Sequence, residues 1–507
     1  MARVLSWRLG LIGGFALAAG MLWLLITAFA TPERAAQSNL PAPAGQWRQA
    51  PCPNAPEAAA VEASCGSWHT GDGRFSLPVV VLHYRGTDKQ PEPLLYLQGG
   101  PGAGAAIGDG RALQRWRDWR DFAGLRRDLV LVDRRGTGGS KPRPVCHAYE
   151  RFSLQVLGRN LSLQQEWREA KQVLQGCLAN MPQFNPLDYG TRISAADIQQ
   201  LGYALGIERW HVLGVSYGSR LALALQAESL AVSKGPAIAS LVLDSVYPPG
   251  RGGLIEWPGT LARALDGFYF ACSEDADCQR HWRSGDFGKP ITPVNLKAAL
   301  FDGLTALRTM PMQVDVRVDG LPRRMVVNDH RLLAAVFAAS YHRHRWADVV
   351  AALAAIGPRD RAPLQRLMQL FVSQAMSDSL TSLTFMAVDC RDNRLGTQQE
   401  FNTELTRHES LKPYLEGMWR GQICQQWRAA RPLQLPEAPA RVAVLAGEFD
   451  PITPASWAHE LQQQWPASKL TEFAAIGHHV LGSKSCTLTQ LEAFLAGQRE
   501  QWQVCDD

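Results

Sequence analysis

Apolar residues in this chain gather into short, nearly unbroken runs. Leu77 to Tyr84 (LPVVVLHY), Pro93 to Leu97 (PLLYL), Asp128 to Val132 (DLVLV), Trp210 to Leu213 (WHVL) and Ile238 to Leu243 (IASLVL) each read as a strand. Runs apolar at consecutive positions suit a mostly parallel sheet that is covered on both faces. Ser194 to Leu205 has helical spacing, with Ser194 as N-cap and Asp197 three residues later. Ser219 to Ala227 reads as the next helix. Strand and helix in alternation predict an α/β fold. From about Arg251 to Leu435 the alternation stops and the pattern is mainly helical, as in His330 to Ile356. Apolar strands return at Arg441 to Leu445 and Leu470 to Phe473. A long insertion between two parts of one sheet predicts a cap that covers a site and restricts entry.

The first thirty residues follow a different pattern. Arg3 and Arg8 precede a 22-residue apolar run, Leu9 to Ala30, in which Thr27 is the only clearly polar side chain. A basic segment, an apolar segment and Ala28-Phe29-Ala30 form an export signal. The run is also long enough to cross a bilayer, so a retained single anchor stands beside a cleaved signal. Both place the protein outside the cytoplasm, periplasmic or secreted. The ten cysteines agree, because an oxidising compartment lets them pair. Neighbours in sequence suggest Cys52–Cys65, Cys146–Cys177, Cys272–Cys278, Cys390–Cys424 and Cys486–Cys505. None lies in a Cys-x-x-Cys pair, which removes zinc-ribbon and thioredoxin readings.

With 46% hydrophobic and 20% charged residues, the 507-residue chain is globular, and its net charge of +5 is too mild to point to nucleic acid. No residue pattern calls for a metal or organic cofactor, and no protein partner can be inferred. His342-Arg343-His344-Arg345-Trp346 lacks ligands at helical i, i+4 spacing and reads as a solvated helix face.

The chemistry is concentrated in three places. Gly214-Val215-Ser216-Tyr217-Gly218 lies between a predicted strand and a predicted helix. A sharp strand-to-helix turn holds a serine hydroxyl out above the sheet edge, and needs small neighbours to do so. A serine nucleophile needs a base, and the base an orienting acid, in the order Ser, acid, His. Asp450, in Gly447-Glu448-Phe449-Asp450-Pro451-Ile452-Thr453-Pro454, follows a strand and is the expected acid; Glu448 and Asp244 are its rivals. His478 is the expected base, with His479 as the alternative. Gln98-Gly99-Gly100-Pro101-Gly102 also follows a strand and can cradle an oxyanion. Pro101 has no N–H, so Gly100 is the expected donor there, paired with the N–H of Tyr217.

These motifs together resemble the prolyl aminopeptidase and tripeptidyl aminopeptidase family of α/β-hydrolase serine peptidases, over roughly residues 70–500. Gly99-Gly100-Pro101-Gly102 resembles the family's His-Gly-Gly-Pro-Gly loop. Asp133-Arg134-Arg135-Gly136-Thr137-Gly138-Gly139-Ser140 resembles its Asp-x-Arg-Gly-x-Gly-x-Ser segment. The stretch from Ala196-Asp197 through Leu205-Gly206-Ile207 to Trp210 matches the helix before the nucleophile. Asp450 to Pro454 is similar to the tripeptidyl branch's Asp-Pro-Val-Thr-Pro loop, and Cys486 and Cys505 fit that branch's C-terminal pair. Three positions depart: Gln98 stands for the usual His, Tyr203 for a frequent Arg, and His479 for a frequent Gly.

The resemblance implies an α/β-hydrolase fold with a mostly parallel central sheet and a large, mainly helical cap inserted between strands. The pattern along the chain divides it into 1–30 (signal or anchor), 31–65 (extended lead-in), 66–250 (core, first part), 251–435 (cap) and 436–507 (core, C-terminal part). The resemblance also implies a serine exopeptidase that forms an acyl-enzyme and cleaves after an N-terminal residue, often proline, or a short N-terminal peptide. Its partners are then peptides with a free N-terminus, whose ammonium needs a carboxylate. Asp389 and Asp392 are the candidates, from a similar Cys-x-acid segment. Asp133 and Arg135 read as structural braces near the oxyanion loop. A carboxylesterase or lipase with the same triad is the alternative, and a non-catalytic binding protein on the same scaffold a third reading.

Overall fold

The computed structural model describes residues 45–507, except 53–61, 233, 286, 377–379, 394, 420, 425–426, 428, 484 and 506–507. The expected signal or anchor, and the first part of the lead-in, lie outside the described residues.

Eleven strands are described: β1 (Gln46–Ala50), β2 (Ala63–His69), β3 (Ser76–Leu82), β4 (Leu94–Leu97), β5 (Leu129–Val132), β6 (Arg209–Val215), β7 (Ala237–Asp244), β8 (Met312–Val318), β9 (Leu321–Val327), β10 (Val442–Gly447) and β11 (Lys469–Phe473). Nine form one sheet in the order β1-β2-β3-β5-β4-β6-β7-β10-β11. The β1–β2, β2–β3 and β3–β5 pairs are antiparallel, and every pair from β5–β4 to β10–β11 is parallel. The apolar runs explain the burial. Alternate residues of each central strand enter opposite cores: Leu95, Val130, Val212 and Leu243 on one face, Leu94, Leu129, Leu213 and Val242 on the other.

The lead-in expectation is corrected. Residues 46–50 and 63–69 are sheet strands, and Cys52–Cys65 ties them. Their alternating, partly polar sequence reflects an edge of the sheet with water on one side. Ser194 is also not the N-cap: the helix runs Thr191–Ala204 and is capped by Gly190.

β7 and β10 are neighbours, with Val442 opposite Leu241, yet most of the intervening chain leaves the sheet. It builds a second core around Leu300, Leu304, Leu332, Val336, Val350, Leu364 and Phe401. Two features of this cap were not expected. Its helices are joined by an antiparallel hairpin, β8–β9. The stretch His330 to Ile356 is two helices, Asp329–Ser340 and Trp346–Ile356, separated by a 3-10 turn at Arg343–Arg345, so His342 to Arg345 form a turn and not a helix face, while the buried Trp346 opens the second helix. Chain before β6 joins the cap as well. The buried Arg331 guanidinium donates to the carbonyls of Val156, Leu157 and Val326.

All five neighbour disulfides form: Cys52–Cys65, Cys146–Cys177, Cys272–Cys278, Cys390–Cys424 and Cys486–Cys505. Buried ion pairs add long-range ties. Arg135 donates to both oxygens of Asp197, at 2.6 and 2.9 Å, and so fixes the post-β5 turn to the helix Thr191–Ala204. Breaking a buried pair leaves a charge without its main partner, and Arg135 would keep only the partly exposed Asp72, at 3.2 Å. Asp197→Asn should therefore lower stability by about 3–5 kcal/mol in urea unfolding monitored by tryptophan fluorescence.

Candidate active site

The site is built at the carboxyl ends of β6, β10 and β11, the edge where parallel sheets bind ligands. Ser216 follows β6 directly and begins the helix Tyr217–Ala231. Its backbone angles, φ 56° and ψ −124°, are strained for a residue with a side chain, at a cost of about 1–3 kcal/mol. The glycines on either side make the turn passable. A Cβ on Gly214 would stand 2.4 Å from the Gly218 carbonyl oxygen, and one on Gly218 would stand 2.0 Å from that of Leu97. The Ser216 N–H is held by the Asp244 carbonyl at 2.9 Å.

Asp450 lies past the end of β10 in a loop that organises itself around the carboxylate. Oδ1 accepts the N–H groups of Ile452 (2.9 Å) and Thr453 (2.8 Å), and Oδ2 accepts the Thr453 hydroxyl (2.7 Å). Oδ2 also meets His478 Nδ1 at 2.8 Å. Both groups are buried. Burial alone would raise the Asp450 carboxyl, but the His478 charge and the donated hydrogen bonds hold it below the usual carboxylate range. Burial would likewise disfavour imidazolium at His478. The Asp450 charge and hydrogen bond outweigh that and raise its pKa above the ordinary histidine value. With Nδ1 turned to Asp450, Nε2 is the ring nitrogen left for chemistry.

The rival residues have other work. The fully buried Asp244 accepts the N–H groups of Val480 (2.8 Å) and Leu481 (2.9 Å), and so holds the chain just after His478. Glu448 accepts the N–H of Ala475. The His479 N–H goes to Ser245 Oγ, and burial lowers the His479 pKa. The same Asp244 thus ties both the Ser216 turn and the His478 turn to the end of β7. Among the described residues, Ser216 Oγ and His478 share no hydrogen bond; what joins them is this common support from β7, which lies between β6 and the β10–β11 pair at the same edge of the sheet.

The glycine loop runs against the serine. A Cβ on Gly99 would lie 3.1 Å from Ser216 Cβ and 3.6 Å from Oγ. Gly100 takes φ 119°, which side-chain-bearing residues rarely adopt. The N–H groups of Gly99 and Gly100 have no backbone acceptor among the described residues, and that of Tyr217 opens a helix, where no i−4 carbonyl exists. Gln98, where the family often has His, accepts the Tyr96 hydroxyl at 2.9 Å. Asp133 accepts the N–H groups of Ala105 (2.7 Å) and Gly139 (2.8 Å), so it does brace this loop, whereas Arg135 turns away to Asp197.

Two contributors escaped the sequence. Arg134 reaches the glycine-loop carbonyls. Tyr341 of the cap accepts the His478 N–H at its carbonyl (3.1 Å), and its ring packs edge-on to the imidazole at 5.3 Å. Nothing in a lone tyrosine after a helix signals such a contact.

Asp389 and Asp392 lie on the helix Ser382–Asp392, whose start touches the glycine loop through Thr381 N–H to the Gly102 carbonyl. Asp392 Oδ2 takes the N–H (2.8 Å) and hydroxyl (2.5 Å) of Thr191, and the Thr191 hydroxyl meets the Tyr217 hydroxyl at 2.8 Å. Asp389 accepts the Asn393 amide. The Thr191–Tyr217 contact thus links Asp392 to the residue that follows Ser216.

Comparison with known proteins agrees with this architecture. The α/β hydrolase fold family model matches residues 92–279, and a model described as TAP-like protein matches residues 414–503. The chain has the α/β-hydrolase fold. A tripeptidyl aminopeptidase from Streptomyces lividans is 23% identical over 405 residues, covering 77% of this hydrolase and 71% of the relative. An N-formylmaleamate deformylase from Pseudomonas putida is 33% identical over 131 residues, 26% of this chain and 39% of its own. A solved structure, the proline iminopeptidase of Mycobacterium smegmatis, has 16% identity and a TM-score of 0.37, covering 89% of this chain and 98% of the other. The TAP-like match contains both Asp450 and His478.

Thr453 supplies one of the donors to Asp450. Thr453→Val should lower the hydrolase kcat about tenfold with KM unchanged, because one hydrogen bond to a charged group is lost. Steady-state kinetics on a chromogenic ester or amide checks this.

Proposed function

We propose that this hydrolase is an exported serine exopeptidase that releases an N-terminal residue or short N-terminal peptide. The observation that carries the proposal is the buried Asp450–His478 hydrogen bond at the sheet edge that also holds the strained Ser216 turn. In this reading Ser216 Oγ attacks the carbonyl carbon of the scissile bond while His478 Nε2 takes its proton. The negative oxygen of the tetrahedral intermediate is received by the N–H groups of Gly100 and Tyr217. His478 then returns the proton to the leaving amine, and water repeats the sequence to free the acyl group. Asp450 keeps the imidazole in one tautomer and stabilises its charged form.

The peptide preference draws on the tripeptidyl aminopeptidase relatives and the TAP-like match. The ammonium-pairing role goes to Asp389 and Asp392, the two carboxylates at the end of the helix Ser382–Asp392. Export draws on the five disulfides, which persist only in oxidising surroundings, and on the apolar run at residues 9–30. Among the described residues no helix is long and apolar enough to cross a membrane. A carboxylesterase or lipase with the same triad is the second reading, since a serine, a histidine and an aspartate in this arrangement serve esters and amides alike.

Chromogenic amides with free and blocked N-termini, bearing one or three residues, separate these readings. Turnover of free substrates far above blocked ones is expected; equal turnover would defeat the exopeptidase assignment. Asp389→Asn should raise KM for free-amine amides and leave small esters unaffected. A fluorophosphonate should label the wild type but not Ser216→Ala.

The raised His478 pKa also sets a pH signature. Only neutral His478 acts as base, so the acid limb of kcat/KM should lie above the ordinary histidine value of about 6.5. In Asp450→Asn the support for imidazolium is gone. The limb should then move to lower pH, and the plateau should fall by about 10⁴-fold.

A further inference from the structure

Arg134 follows β5 and is only 5% exposed. Among the described residues it forms no ion pair: the neighbouring Asp133 carboxylate is taken by the N–H groups of Ala105 and Gly139. Its Nη2 instead faces a cluster of carbonyl oxygens: Pro101 at 3.0 Å, Ala103 at 3.2 Å, Gly99 at 3.3 Å and Gln98 at 3.4 Å. All four belong to the glycine loop. The guanidinium also lies 4.9 Å from the centre of the Tyr217 ring, the residue whose N–H is the other expected oxyanion donor.

The peptide unit turns this cluster into a statement about direction. In a trans peptide the carbonyl and the following N–H point opposite ways. Gln98 and Gly99 carbonyls drawn toward Arg134 therefore turn the Gly99 and Gly100 N–H groups away from it. Those are the two amides with no backbone acceptor, in the loop that touches Ser216. A buried charge with no carboxylate in ion-pair contact is costly, and is sustained here by the aligned carbonyl dipoles together with the nearby Asp133 charge. The same alignment presents positive dipole ends on the far side, as a preorganised oxyanion cradle requires. A planar fork does this better than an ammonium, whose donors are compact and strongly hydrated.

We propose that Arg134 is the positioning residue of the oxyanion cradle, its guanidinium drawing in the carbonyls of residues 98, 99, 101 and 103 so that the Gly100 amide, beside that of Tyr217, is presented to the reacting oxygen. The proposal rests on the assignment of Ser216 as nucleophile. It also gives the glycine loop a support that the residue at position 98 does not supply, since the Gln98 side chain is occupied by Tyr96.

The test compares the full-length enzyme with Arg134→Lys, Arg134→Met and Arg134→Gly, with Ser216→Ala as reference. The expected result is a kcat lower by about 10–10³-fold in Arg134→Met with KM within about twofold, the range set by loss of up to one oxyanion donor. Arg134→Lys should fall between it and the wild type. A peptide aldehyde forms a bond from Ser216 Oγ to its carbonyl carbon, and the carbonyl oxygen becomes the oxyanion. Its affinity should drop by the same factor as kcat, while the affinity for the product peptide stays. Millimolar guanidinium ion should restore part of the kcat of Arg134→Gly. An unchanged kcat, a parallel loss of aldehyde and product affinity, or failure of every Arg134 variant to fold would each overturn the proposal, the last two by making Arg134 a purely structural brace. If Ser216→Ala keeps its turnover, it is the nucleophile assignment that has failed.

Discussion

One buried hydrogen bond, from His478 Nδ1 to Asp450 Oδ2, sets the terms for the rest of the molecule. An ionised carboxylate in a dry interior needs donors on all sides. The acid loop supplies three of its own, two amides and the Thr453 hydroxyl, before the imidazole arrives. That prior organisation lets the imidazole face a fixed negative charge, which raises its pKa despite burial. Reactivity at the sheet edge therefore depends on a loop whose sequence, Asp-Pro-Ile-Thr-Pro, looks unremarkable in composition.

The end of β7 carries the remaining geometry. Its backbone receives the Ser216 N–H, and the Asp244 side chain receives two amides of the chain after His478. A carboxylate placed to rival Asp450 thus acts as a clamp on both turns. The cap completes the arrangement from above, because the Tyr341 carbonyl holds the His478 N–H and a Cβ at Gly477 would stand 2.3 Å from that oxygen. Cap and histidine are fastened by main-chain atoms, so a shift of the cap at Tyr341 would be felt at the imidazole.

Legibility from the sequence followed the range of each interaction. The central strands could be read because both-sided burial leaves an unbroken apolar run. β1, β2 and the β8–β9 hairpin could not, since each has an exposed face and mixed polarity. The strand-Gly-x-Ser-x-Gly-helix turn and the acid loop announced themselves because their key contacts lie within a few residues. The cysteine pairs were suggested by nearness in sequence, but connectivity itself is decided by which sulfurs the fold brings together.

Sequence alone therefore determined what short-range sterics control: the class of fold, the strained serine turn and the place of the Asp450 loop after a strand. Only the tertiary structure decided which acid meets His478, that Asp244 and Asp392 are spent on backbone amides, and that Arg134 and not Arg135 holds the glycine loop. Adjacent side chains of similar chemistry leave a strand end in different directions. The choice between them is made by partners scores of residues away, which no local pattern records.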